Sequence, residues 1–122
     1  MATSTTRGIP HVIPICFAFD GSRIYTAIDQ KPKRAEPMKL RRILNIIQNH
    51  EISFIVDRYD EDWRKLGYAI VRGKAKILQT GREHDHALFL LQRKYRQYRQ
   101  MNLHNRPVIR IIPTKITTWK HQ

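Results

Sequence analysis

Cysteine occurs once in the 122 residues, at Cys16, so no disulfide can close within the chain. The residue lies inside an apolar run, where a thiol behaves as a small hydrophobe, and a reducing cytoplasm suits it. Long apolar runs are missing as well. None approaches the roughly 18 uninterrupted apolar positions a membrane helix requires, and Met1 to Arg7 lack the apolar centre of a secretory signal. The chain is therefore expected to be soluble and cytoplasmic. Acidic residues are scarce: 10 Asp and Glu stand against 23 Lys and Arg, giving a net charge of +13. Such an excess attracts polyanions, and its targets could be nucleic acid, an acidic surface or a phosphorylated ligand. A solvated basic surface would look the same, so charge alone does not choose. No repeat, low-complexity tract or nucleophilic triad is present. His84 and His86, two apart on a helical stretch, face different ways and make a zinc site improbable.

What remains is ordinary for one globular domain spanning residues 1–122, with 41% apolar residues to supply a single core. Residues 11–19 are apolar nearly throughout and end in Asp20-Gly21-Ser22, strong turn chemistry. Residues 23–28 follow, rich in β-branched and aromatic side chains, and the pair reads as a hairpin. With a short strand over residues 2–6, the chain opens as a three-stranded meander. Lys31-Pro32-Lys33-Arg34 then forms a cationic loop. From Glu36-Pro37 the period changes to that of a helix, with Leu40, Ile43, Leu44 and Ile47 on one stripe. A short strand at residues 52–56, a charged connection before Trp63 and a long strand over residues 66–78 come next. In that long strand Ala69, Val71, Gly73, Ala75 and Ile77 share a side, with small residues where something packs closely. A second helix is expected over residues 83–99, its stripe made by His84, Ala87, Leu88, Leu91 and Tyr95. Residues 108–112 and 115–119 form a closing strand, bent or interrupted at Pro113. About six strands and two short helices define an α+β, mainly β chain whose antiparallel sheet curls into a small barrel, because a one-sided apolar sheet must close or be covered.

The run Gly8-x-Pro10-His11-Val-Ile-Pro14-Ile-Cys-Phe17, then Ile24-Tyr25-Thr26, Lys31-Pro-Lys-Arg34 and Leu40-Arg-Arg-x-x-Asn45-Ile46, resembles the pyridoxamine 5′-phosphate oxidase-like family. Within it, the resemblance is to the branch assigned to the deazaflavin coenzyme F-420. Asp57-Arg-Tyr-Asp-Glu-Asp-Trp63, Val71-Arg-Gly-Lys-Ala75, Lys94-Tyr95-x-x-Tyr98 and Trp119 extend the match along essentially the whole chain. The resemblance implies a six-stranded antiparallel split β-barrel of the FMN-binding type, working as a homodimer with coenzyme F-420 or FMN at the subunit interface. It also implies an oxidoreductase that transfers hydride to a small organic acceptor. Carried over by position, Lys33 and Arg34 match a pair that grips the cofactor phosphate, with Lys31 adding to it. Tyr25 and Thr26 match a cofactor-contacting pair, and Pro14, Ile15, Cys16 and Phe17 belong to the strand along the ring edge. Trp63 is a weaker candidate for the ring or substrate side. Relatives begin with a helix before the first strand, which this sequence is expected to lack. The oxidase branch has a basic residue on its second strand where this chain is apolar, which argues against oxidation of pyridoxamine phosphate itself.

These residue types suit such chemistry. A flavin carries its own redox reactivity, so the protein needs only to bind, orient and tune it. A phosphate needs charge-assisted donors, which Lys31, Lys33 and Arg34 could supply, although such a run without the resemblance reads as a solvated loop. Ile13, Ile15 and Phe17 are expected to point into the barrel while Pro14 and Cys16 look the other way. Trp63 could stack on a ring or plug a dimer contact, the structural role being favoured, and His11 is the histidine to test for catalysis. Two other readings stand beside the enzyme: a split barrel that carries flavin or haem without turnover, and a basic nucleic-acid-binding module.

Overall fold

In the computed structural model, residues 1–29 and 36–122 are described. Two-residue alternation organises the centre of the fold. Strand β6 (Gly67–Leu78) buries Val71, Gly73 and Ala75 while Arg72, Lys74 and Lys76 face water. It lies between β5 (Glu51–Arg58) and β7 (Val108–Lys120), antiparallel to both. The remaining strands are short: β1 (Ala2–Ser4), β2 (Pro10–Val12), β3 (Ala18–Phe19) and β4 (Ile24–Ala27). All seven form one antiparallel sheet in the order β2-β1-β5-β6-β7-β4-β3.

That order explains why seven strands are found where six were expected. The apolar run over residues 11–19 is not one strand; it breaks at residues 13–17 into β2 and β3, which lie at opposite edges of the sheet. A flat sheet of seven strands would hold its edges about 29 Å apart at ~4.8 Å per step. Val12 to Ala18 can span at most about 22 Å. The sheet must therefore curl until its edges approach, and residues 13–17 form a strap across the gap. Pro14, which has no N–H for a ladder, sits in the middle of that strap. The hairpin between β3 and β4 is as expected: Gly21 takes a φ of 96°, and Asp20 Oδ1 accepts from the backbone N–H groups of Ser22 and Arg23.

The closing strand is irregular where Pro113 predicted it. Arg72 pairs with Lys115 but Gly73 pairs with Pro113, so Thr114 is an extra residue, a β-bulge. Strand β4 reaches only to Ile111, which leaves Pro113 at an edge where its missing N–H costs little. The bulge also changes the phase of β7. Ile112 shares a face with Lys74, and after the extra residue Lys115, Thr117 and Trp119 share that same outer face with Arg72, Ile70 and Tyr68.

Two apolar clusters occupy the two sides of the curled sheet. The first gathers Ile24, Ile43, Ile46, Phe54, Val71, Ile109 and Ile111, and Ile13, Ile15 and Phe17 of the strap pack against it. Helix α1 (Arg41–Gln48), preceded by a 3-10 turn at Pro37–Lys39, lies over this side. Its buried face is Ile43, Asn45 and Ile46, rotated from the expected stripe; Ile47 remains half exposed. The rotation follows from a polar contact: Asn45 Nδ2 donates to Thr3 Oγ1 on β1 at 3.0 Å, inside the core. Helix α2 (Arg82–Lys94) covers the other side, with Ala87, Leu88 and Leu91 against Tyr25, Ala27 and Val108. Its inward stripe is the expected one, but Tyr95 leaves helical geometry and separates a short α3 (Arg96–Arg99). His84 is a core residue whose Nε2 donates to the Arg106 carbonyl at 2.7 Å.

Glu83 ties α2 to the sheet. Its carboxylate accepts from Arg23 Nη1 at 2.6 Å, Tyr25 Oη at 2.9 Å and Arg110 Nη1 at 2.9 Å. Burial resists its ionisation, but the three donors outweigh that and hold its pKa below the ordinary 4.5. A depressed carboxylate pKa stabilises the fold above the unfolded value, and the contribution is lost as pH falls through the folded value. Thermal stability should therefore fall as the solution is acidified below about pH 4.5. Glu83→Gln should cost about 2 kcal/mol at neutral pH, allowing for partial solvent screening, and flatten that acid limb. Melting curves from pH 3 to 7 check both, and an unchanged acid limb in the variant would contradict the assignment.

Candidate functional site

The strap is pinned at both ends and unpaired between. At its start, the Ile13 N–H donates to the Met1 carbonyl at 3.0 Å, and the Met1 amino group donates to the Ile13 carbonyl at 2.6 Å. At its end, Lys94 Nζ donates to the Phe17 carbonyl at 2.7 Å, and Tyr95 Oη lies 3.1 Å from both the Phe17 N–H and its carbonyl. Lys94 also sits 3.9 Å above the Phe17 ring, which in turn meets Phe54 with centroids 5.5 Å apart. Between these clamps, among the described residues, the N–H groups of Ile15 and Cys16 and the carbonyls of Pro14, Ile15 and Cys16 have no hydrogen-bond partner in the protein. Backbone polar groups held in place without partners are fitted to a ligand's polar edge or to water.

The strap separates two depressions. One, of about 490 Å³, is bordered by Met1, Val12, Phe17, Phe54, Ile55 and Val56 as well as by the strap itself. The other, of about 300 Å³, is walled by residues 13–16 with Thr26, Ala27, Asp29, Arg42 and Tyr98. The first has an apolar rim. The second is polar at its base, where burial pushes the Arg42 pKa down and the neighbouring Asp29 and Tyr98 oppose the shift. The guanidinium stays charged regardless. Among the described residues it has no hydrogen-bond acceptor, so its donors remain available. Burial, then contact with Cys16, pushes the Tyr98 phenol up, so it is a neutral hydroxyl beside the thiol. A third depression, about 610 Å³, lies at the far ends of β5, β6 and β7 and meets the first at Val56 and Asp57.

The structure brings Pro14, Ile15, Cys16, Phe17 and Thr26 together around the strap, with Ile13, Ile15 and Phe17 inward as their alternation predicted. Tyr25 points the other way, buried against α2 with its hydroxyl on Glu83. Trp63 stands in a 3-10 turn, Trp63–Lys65, largely exposed and lining neither depression beside the strap. Lys31, Lys33 and Arg34 lie outside the described residues. His11, on edge strand β2, borders neither depression. Sequence reasoning missed Arg42, which lies off the apolar stripe expected for α1. The usable signal was spacing: Arg42 lies three and four residues before Asn45 and Ile46, both buried. Lys94, Tyr95 and Tyr98 carry the strap and the wall of the smaller depression, giving that motif a local purpose.

An antiparallel sheet curled until a strap can link its two edges defines a split-barrel protein. The family model described as pyridoxamine 5′-phosphate oxidase matches residues 1–120, and the chain belongs to that family. No curated protein matches the sequence. Among solved structures, a conserved hypothetical protein from Mycobacterium tuberculosis superposes with a TM-score of 0.78 at 19% identity, over 99% of this chain and 75% of that one. A FAD-binding protein from Mesorhizobium loti gives 0.68 at 19% identity, over 96% and 81%. The heme storage protein from Vibrio cholerae gives 0.71 at 13% identity, over 98% and 82%. At these identities the likeness is one of fold. Among the described residues, no helix is long and apolar enough to cross a membrane.

Proposed function

We propose that this chain is a flavin-type oxidoreductase that binds FMN or the deazaflavin coenzyme F-420 against the strap and passes hydride to a small organic acceptor. The observation that carries the reading is the strap itself: the unpaired backbone donors and acceptors of residues 14–16, clamped by Met1 on one side and by Lys94 and Tyr95 on the other. They fit the alternating donors and acceptors on the polar edge of a flavin-type ring. Ile15 and Pro14 offer an apolar wall, Thr26 a hydroxyl, and Arg42 a cation for anionic oxygens. By family resemblance Lys31, Lys33 and Arg34 would hold the phosphate.

When bound, such a cofactor supplies the hydride chemistry itself. The chain's own residues do the rest. The clamped strap fixes the height of the ring edge, Arg42 balances negative charge, and the neutral Tyr98 hydroxyl keeps a polar group beside Cys16 without adding a charge. Val12, Ile55 and Val56 stay exposed beside the open side of the site. A second copy of the chain would cover them, exclude water from the ring and complete a homodimer.

Haem carriage is the rival reading. It needs an axial donor, and among the described residues lining the two depressions beside the strap no histidine is present; Cys16 is engaged with Tyr98. The flavin-type reading is therefore preferred. Titrating the purified chain with FMN, coenzyme F-420 and haemin by fluorescence quenching tests it. Saturable micromolar binding of a flavin-type ligand, turnover with an acceptor panel, and a dimer in sedimentation are expected. Binding of haemin alone, or of none of the three, would refute the proposal.

A further inference from the structure

The outer face of β6 and β7 carries a concentration of positive charge unrelated to the strap, bordered on β5 by Glu51 and Asp57. Arg72, Lys74 and Lys76 recur on one face of β6, about 7 Å apart. The bulge at Thr114 adds Lys115 to the same face, directly across from Arg72, and Arg110 lies directly across from Lys76. Like charges in opposed cross-strand positions destabilise a sheet, and here two such pairs lie on one face, with Lys74 and Ile112 paired between them. Arg110 is relieved by Glu83. Lys74 has only an exposed contact of 3.8 Å with Glu51. Arg72, Lys76 and Lys115 have no ion-pair partner among the described residues. An arrangement that is unfavourable for the isolated sheet is relieved by a polyanion lying along it.

What distinguishes the face from a merely solvated one is its end. Tyr68 and Trp119 stack on each other with centroids 5.7 Å apart and planes at 29°, on the same side as the cations and two steps along from Arg72 and Lys115. Trp119 is 46% exposed, so part of its ring is open to another planar group. Regularly spaced cations running into an exposed aromatic platform match a strand of phosphates with unpaired bases. An acidic peptide would use the cations and leave the platform idle, and a duplex would hide its base faces.

We propose that this outer face binds single-stranded nucleic acid, phosphates resting on Arg72, Lys74, Lys76 and Lys115 and a base stacking at Trp119. The inference is independent of the cofactor reading, because none of these side chains borders the strap.

The test uses the full chain and a fluorescein-labelled oligothymidine, followed by polarisation across a salt series. Duplex DNA, polyglutamate and phosphatidylglycerol vesicles serve as competitors. The oligothymidine should bind more tightly than any competitor. Arg72→Glu with Lys115→Glu should weaken it by about tenfold or more and make the salt slope shallower by about 1.4, the value for two lost single-strand phosphate contacts. Trp119→Ala should weaken the oligothymidine by roughly tenfold and spare the duplex. If charge reversal disturbs folding, Lys74→Gln with Lys76→Gln provides a milder removal of two contacts with the same expected slope change. Equal competition by polyglutamate would point to an acidic protein, and preferential vesicle binding to a lipid surface. Either result, an absence of oligothymidine binding at low salt, or affinity unchanged in both double variants would overturn the proposal.

Discussion

Replacing Gly73 with valine should cost about 3 kcal/mol or more and lower the melting temperature by roughly 10 °C. A Cβ at this position would stand 2.7 Å from the Ile112 carbonyl oxygen and 2.8 Å from Ile111 Cγ2. The first obstacle is backbone and cannot rotate away. The second belongs to Ile111, fully buried in the first core cluster. The close approach arises because Gly73 faces Pro113 beside the bulge, where the paired strands are irregular. Gly67 provides the control: a Cβ there meets the Trp119 carbonyl at 3.3 Å near the sheet's open end, and alanine should be tolerated within about 1 kcal/mol. Differential scanning calorimetry of the two variants is decisive; equal melting temperatures would mean that the central strands shift apart at little cost.

Arg42→Ala should weaken the flavin-type ligand by about 10- to 100-fold, the loss associated with a charged hydrogen bond of 1.5–3 kcal/mol. The residue is only partly accessible, and its guanidinium, near Asp29 and Tyr98, has no hydrogen-bond acceptor among the described residues, which is why the proposed function gives it a ligand oxygen. Arg42→Lys should recover part of the affinity by keeping the charge while losing the planar fork. Fluorescence titration of the three proteins, with circular dichroism to confirm folding, measures the effect. Equal affinities would detach Arg42 from the ligand and leave it as the counter-charge of Asp29.

Much of the architecture is legible in the residues because it depends on local period. The turn at Asp20-Gly21-Ser22, the inward stripe of α2, the alternation of β6 and the break at Pro113 each follow from a few neighbouring side chains. The failures come from contacts distant in sequence. Residues 13–17 have the composition of a strand, but the two ends of their run are claimed by different edges of one sheet, and only the closed topology shows it. Helix α1 turns away from its most apolar stripe because Asn45 finds Thr3 more than forty residues earlier. The same rotation brings Arg42 inward, which is why the site's described cation was not visible in the sequence. Tyr25, adjacent to Thr26, faces the opposite side simply because strand neighbours alternate.

The strap also acts as a gauge. With its ends anchored by Met1, Lys94 and Tyr95, the five residues between β2 and β3 set how widely the barrel mouth can gape. On the proposed function, ligand girth would be metered by loop length rather than by the strands, so a longer or shorter link at this one place would refit the same scaffold to a thicker or thinner guest.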